Sequence, residues 1–158
     1  RSLDYLWFGI GAFLKRNPQH RYLFGPVSIS NAMPRLAKEL LIVFYRLYFT
    51  RPDTPACSRN PFCFSLPAEK LASSFSGRNY REDFILLKSL LAALGVSVPT
   101  LYTQYHGLCK AGGVYFLDFN VDSSFGDCID GLVVVDTRLL KENKRRRYID
   151  NNHATVGV

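Results

Sequence analysis

Asp118, Asn120 and Asp122 stand two residues apart at the end of an apolar run, the spacing that sets alternate side chains on one face of a strand. Carboxylates so placed can bind the amine of a cationic amino acid or take its proton. Read plainly, the three are polar residues at an exposed strand end. Tyr45 lies beside Phe44 inside an apolar helical run, where a tyrosine is ordinarily a core aromatic with a satisfied hydroxyl. His106 and its neighbour Tyr105 offer a base and an orienting hydroxyl, against the commoner structural role of a lone histidine. Ser28, Ser30 and Asn31 fall where a strand runs into a helix. They can cap and turn the chain, or line the place where a helix N-terminus holds a ligand. No Ser–His–Asp order and no metal cluster accompanies these groups. Cys57, Cys63, Cys109 and Cys128 fit no zinc spacing and read as reduced thiols, with a Cys57–Cys63 disulfide as the alternative.

A sheet and several helices must carry these residues. The stretch 22–30 reads as a strand interrupted at Gly25-Pro26, where the missing N–H predicts a bulge or splay that leaves backbone groups free. It feeds a helix over 33–49 with Leu36, Leu40, Val43, Phe44 and Leu47 at helical spacing, Ser30 or Asn31 as its cap and Pro34 in its first turn. A helix over 2–15 comes before, capped by Ser2 and striped with Leu3, Leu6, Trp7, Ile10, Phe13 and Leu14. Its Gly9 and Gly11 mark a place of close approach. Residues 51–65 read as an irregular loop, and helices follow over 67–75, 80–94 and 98–108, two of them opened by Pro67 and Pro99. Strands over 114–121 and 129–136 resume the sheet. In the first, Tyr115, Leu117, Phe119 and Val121 share one face, and Val114, Phe116, Asp118 and Asn120 the other. The second is nearly all apolar, which suits burial on both faces. A helix over 139–149 holds Lys144-Arg-Arg-Arg147, and the tail 151–158 reads as disordered. The fold class is α/β (α+β): one domain over 1–150, a mixed sheet with flanking helices and a small helical insertion at about 51–110.

With 158 residues, 47% of them hydrophobic, the chain can build one real core. A formal charge of +7 favours anionic partners, or serves solubility alone. The run Lys144, Arg145, Arg146, Arg147 either offsets a helix C-terminal dipole or docks on an anionic membrane, where each cation near the surface adds about 1 kcal/mol. Nucleic acid is not expected as a partner, because no recognised nucleic-acid fold accompanies the run. No apolar stretch is long enough for a transmembrane helix, and no signal peptide is visible.

Three strings carry a resemblance: Phe24-Gly-Pro-Val-Ser-Ile-Ser30; Ala37 followed by Phe44-Tyr45 and Tyr48-Phe49; and Gly113-Val-Tyr-Phe-Leu-Asp-Phe-Asn-Val-Asp122 with Asp130-Gly-Leu-Val-Val-Val-Asp136. Together they resemble the GNAT-superfamily N-acyltransferases, specifically the bacterial hemolysin-like group that includes ornithine N-acyltransferases, over most of 1–148. The resemblance implies several further strands and a Glu-Leu-Gly-Arg-type motif upstream of Arg1, so that the N-terminal strands are missing and this chain by itself is inactive. It implies transfer of a fatty, possibly 3-hydroxy, acyl group from an acyl carrier protein or coenzyme A thioester to an amine such as ornithine, with no bound cofactor and no metal. Ser28, Ser30 and Asn31 would line the donor cleft, with Arg1 and Ser2 near the donor's phosphate. Tyr45 would protonate the departing thiolate, Asp118 would take the amine's proton, and Asn120 and Asp122 would bind the acceptor. A lipid-making enzyme of this kind is cytoplasmic and peripheral on the inner membrane, where Lys144–Arg147 would touch anionic lipid. The alternatives are an O-acyltransferase acting on a lysophospholipid, and a non-catalytic module that binds lipid or a partner.

Overall fold

The computed structural model describes residues 2–53 and 56–151. Arg1 and the expected disordered tail beyond Asn151 lie outside the described residues. Helix α1 (Ser2–Arg16) leads into strand β1 (Tyr22–Ile29) and helix α2 (Arg35–Phe49). Three more helices follow, α3 (Ala68–Ala72), α4 (Tyr80–Ala93) and α5 (Thr100–His106). Strands β2 (Val114–Asp122) and β3 (Cys128–Asp136) come next, then a short helix α6 (Glu142–Arg145) that continues into a π turn (Arg146–Asp150). This is the mixed α/β architecture read from the sequence, consistent with a GNAT-like fold.

The sheet has the order β1-β3-β2, antiparallel throughout. The apolar strand β3 takes the centre, because only there are both edges paired. Its residues Ile129, Val133 and Val135 are buried beneath one covering layer of helices. Helix α2 crosses that face, and its middle turns, from Ala37 to Tyr45, are buried on all sides.

The interruption expected in β1 lies elsewhere. Pro26 pairs with Leu132 in a register that runs unbroken from Tyr22 to Ile29. A proline is tolerated there because β1 is an edge strand, whose outer side needs no ladder donor. The irregularity falls in β2, between Phe116 and Phe119. It corrects the expected alternation: Val114, Phe116 and Phe119 are all buried, because the extra residue flips the pleat between them. The cap expected for α2 also differs. Pro34 occupies the N-cap and no side chain caps the helix. Ser30 Oγ instead accepts from the Ala32 N–H at 3.2 Å, and Asn31 Oδ1 accepts from Lys38 Nζ at 2.9 Å. Helix α4 is capped as its composition requires: the Asn79 side chain accepts from the N–H groups of Arg81 and Glu82, and Gly95 ends it at φ +75°.

The stripe of α1 divides. Trp7 and Leu14 are buried, whereas Leu6 and Phe13 are about half exposed. The buried side receives the C-terminal π turn. Tyr148 donates to Asp4 Oδ1 at 3.0 Å and Arg147 pairs with the same carboxylate at 3.2 Å. Gly11 permits this docking, since a Cβ there would lie 1.9 Å from the carbonyl oxygen of Tyr148. Gly9, two residues earlier, faces open space. The two glycines therefore predict opposite outcomes in unfolding experiments. Gly9→Ala should stabilise the chain by about 0.5–1 kcal/mol through helix propensity. Gly11→Ala should destabilise it by about 1–3 kcal/mol, because backbone must move to relieve the clash.

Candidate functional site

Helix α5 ends at His106 and delivers its imidazole into a ring of aromatics. Phe49 stacks on it at 5.3 Å and Phe84 meets it edge-on at 4.5 Å. Both ring nitrogens are engaged: Nδ1 with the Tyr80 hydroxyl at 2.5 Å and Nε2 with the Tyr45 hydroxyl. A neutral imidazole has one N–H and one lone pair, so one tyrosine donates to it and the other accepts from it. Burial, assisted by the charge of Lys141, pushes the His106 pKa down to about 4. The ring is neutral at physiological pH.

Tyr45 and His106 meet because of what lies beneath them. Tyr45 packs edge-on against Tyr102 at 4.8 Å and against Phe116 at 5.2 Å. Tyr102 in turn donates to the Val27 carbonyl at 3.0 Å, which ties α5 to β1. The Tyr45 side chain is fully buried, and burial raises its pKa, with smaller contributions from Tyr80 and Tyr102. Its phenol is thus a weak acid that reaches outward only through His106. Burial likewise pushes Tyr80 up to about 12.

Two cavities adjoin this cluster. The first is a groove of about 590 Å³ between α1 and β1, walled by Leu6, Trp7, Phe13, Leu23, Phe24 and Val133. Gly9 and Gly25 form its open floor, and Phe24 is 76% exposed beside it. The second is a cleft of about 470 Å³ over His106, with Tyr80 and Phe49 on its walls and Arg81, Lys110 and Lys141 around it. Tyr105 borders both cavities. It meets Trp7 edge-on at 5.9 Å, and Trp7 Nε1 donates to Gln104 at 2.8 Å.

The other residues singled out in the sequence lie apart from this cluster and are engaged in holding loops. Asp118 pairs with Arg46 at 3.1 Å and accepts from the Ser58 N–H at 2.7 Å. Asn120 Oδ1 accepts from Ser58 Oγ at 2.6 Å and from the Asn60 N–H at 3.1 Å. Together they fasten the 57–62 segment along the outer edge of β2. Asp122 caps a 3₁₀ turn through the Ser124 N–H. Ser28 donates to Asp130 at 2.5 Å across the ladder. Ser2 opens α1. Of the basic run, Arg145 pairs with Asp150, Arg146 with Glu142 and Arg147 with Asp4, and Lys144 lies over the Tyr148 ring. All four cysteines are free thiols. Among the described residues no group of three or more His, Cys, Asp or Glu side chains could hold a metal, and no helix is long and apolar enough to cross a membrane.

The sequence marks Tyr45 and His106 singly, whereas Tyr80, Arg81, Lys110 and Lys141 join them only in the fold. The signal for Tyr80 was its place just after Asn79, at the start of a helix that turns its buried face to Phe44 and Phe49. The electrostatics of His106 are directly testable. In an NMR titration its ring carbons should stay in the neutral form until about pH 4. Because the folded pKa lies below the unfolded one, stability should fall as pH drops from about 6.5 towards about 4, and His106→Gln should flatten that slope.

No protein-family model and no solved structure matches the chain. Two curated proteins do. Over 148 residues the chain is 25% identical to a glycine N(alpha)-acyltransferase of Bacteroides thetaiotaomicron, covering 94% of this chain and 43% of that protein. Over 150 residues it is 24% identical to a glycine N(alpha)-acyltransferase of Phocaeicola vulgatus, covering 95% of this chain and 45% of that one. The chain thus spans less than half the length of these relatives. Its similarity is to N-acyltransferases, and neither relative's name carries the ornithine acceptor of the hemolysin-like group.

Proposed function

We propose that this chain forms part of an N-acyltransferase that moves an acyl group from a thioester to the amine of a small amino acid. The observation that carries the reading is the apolar groove between α1 and β1, which ends at Tyr105 beside the His106–Tyr45–Tyr80 cluster. Its walls suit an acyl chain, since burying apolar surface supplies about 25 cal/mol per Å². The outer edge of β1 carries backbone groups that can bind an extended pantetheine arm in strand-like fashion. Along almost its whole length the chain is similar to proteins named for this class of reaction.

In the proposed step the neutral amine attacks the thioester carbonyl. A C–N bond forms, the C–S bond breaks, the nitrogen loses a proton and the sulfur gains one, giving an amide and a free thiol. His106 keeps a lone pair at cellular pH and can take the proton from the attacking nitrogen through Tyr80, whose hydroxyl passes its own proton to Nδ1 as it receives the other. Tyr45 acts through His106 and positions it, since its own hydroxyl has no exposed surface. The donor thioester is one of coenzyme A or of a carrier protein. A free amino acid with no second cation fits the acceptor better than ornithine does, because Asp118 is already held by Arg46 and Ser58. Membrane contact through Lys144–Arg147 remains part of the proposal as a peripheral, salt-sensitive attraction.

Two substitutions test the reading in acyl-transfer assays on the full-length protein. Tyr45→Phe should lower turnover by about one to three orders of magnitude while leaving thermal stability near that of the wild type. Unchanged turnover would reduce Tyr45 to a core aromatic. Gly9→Trp, at a position with nothing within 4 Å, should fill the groove. It should raise KM for long-chain donors more than for acetyl or butyryl donors, whereas equal effects on both would remove the groove from donor binding.

A further inference from the structure

The cleft over His106 carries a charge pattern that donor binding does not require. Arg81 comes from the first turn of α4, Lys110 from the turn before β2, and Lys141 from the residue before α6. Three separate elements thus converge their cations on one opening. No aspartate or glutamate lines it, and among the described residues no carboxylate pairs with any of the three side chains. Elsewhere arginines are spent on internal ion pairs: Arg21 on Asp136, Arg46 on Asp118, Arg147 on Asp4. The cleft's cations are held apart from that economy, around a floor made of a neutral imidazole and the Tyr80 hydroxyl.

We propose that this cleft is the carboxylate-binding subsite for the amino-acid acceptor, with Lys110, Lys141 and Arg81 as the recognising groups. This deepens the N-acyltransferase reading and rests on it. In an α-amino acid a single carbon separates carboxylate from amine. Cations that hold the carboxylate at the rim therefore leave the nitrogen at the aromatic floor, within reach of His106 and Tyr80. The nitrogen then lies next to Tyr105, the wall shared with the acyl groove. The same geometry explains why proton-handling groups and unpaired cations occupy one cavity: the first act on the nitrogen and the second on the carboxylate attached to it. Charge-assisted hydrogen bonds to a carboxylate are the strong ones, and a net positive cleft without a competing acid also draws the anion in.

The test uses two readouts. In the full-length protein, the double variant Lys110→Gln, Lys141→Gln is assayed with glycine and with glycinamide, which keeps the amine and lacks the carboxylate. The selectivity for glycine over glycinamide should fall by about ten-fold or more, chiefly through KM for glycine. A selectivity equal to that of the wild type would overturn the subsite. The second readout needs no turnover. N-acetylglycine added to this chain should shift the His106 and Tyr80 ring signals, N-acetylglycinamide should not, and the double variant should lose the response. If the shift occurs and the full-length protein has no transferase activity, the subsite stands and the acyl-transfer reading falls. Equal shifts from N-acetylglycinamide, or a stronger response to inorganic phosphate than to N-acetylglycine, would overturn the carboxylate assignment.

Discussion

At Gly131 the central strand has no side chain, and an aromatic stack fills the space. A Cβ there would lie 2.9 Å from the rings of both Phe116 and Phe119. Those two rings stack nearly parallel at 5.4 Å, and Tyr102 stacks on Phe116 at the same distance with planes 6° apart. The β2 irregularity is what lets Phe116 and Phe119 share a face although they stand three positions apart. Each such pair is worth about 0.5–1.5 kcal/mol beyond its buried area. Their positional effect matters more. Tyr102 anchors α5 against the sheet, Tyr45 packs on both Tyr102 and Phe116, and His106 meets Tyr45 because the helix on which it sits is fixed four residues earlier. Remove the space at Gly131 and the whole chain of contacts from sheet to imidazole loses its floor.

How much of this could be read beforehand follows from how local each signal is. Strands β2 and β3 and helix α4 rest on periodicity within single segments, so pattern alone places them to within a residue or two, whereas the antiparallel order of the sheet follows from pairing between segments. The bulge in β2 was illegible, because Leu117-Asp118 contains no glycine or proline to mark it, whereas Gly25-Pro26 displays both and is regular. The pleat there follows the pairing partner, and on an edge strand a proline costs the ladder nothing. The site was legible only in its parts. Tyr45 and His106 are 61 residues apart in sequence, and only the tertiary fold makes them partners. Asp118 and Asn120 drew attention through their spacing, which loop-fastening and acceptor-binding residues share.

Helix α1 shows why a single apolar stripe need not mean a single role. Trp7, Gly11 and Leu14 face the π turn and the sheet, and this side has the small residue and the hydrogen bonds of a permanent contact. Leu6, Phe13 and Tyr5, which is 75% exposed, are as apolar as the buried side yet line an open groove. Hydrophobic spacing records only that a surface avoids water. The glycines separate the two sides, since Gly11 is required by a neighbouring backbone and Gly9 by none.

The neutrality of His106 is best understood as a consequence of solvent exclusion around a group that still borders a cleft. Phe49, Phe84, Tyr45 and Tyr80 remove water from around the ring, and the nearby Lys141 further disfavours a positive charge. A histidine in water would be partly protonated in mildly acidic conditions and would lose its lone pair as an acceptor. Here the pKa of about 4 leaves that lone pair available throughout the physiological range. The cost is basicity, because an imidazole that resists protonation draws a proton weakly from an ammonium ion. The two tyrosines offset part of this cost by keeping both ring nitrogens hydrogen-bonded as the proton shifts. Lys141 adds a smaller share to the burial effect by disfavouring the imidazolium. A charge placed beside Lys141 could therefore act on that smaller share alone, while the packing of Phe49, Phe84, Tyr45 and Tyr80 around the ring sets the greater part of its neutrality.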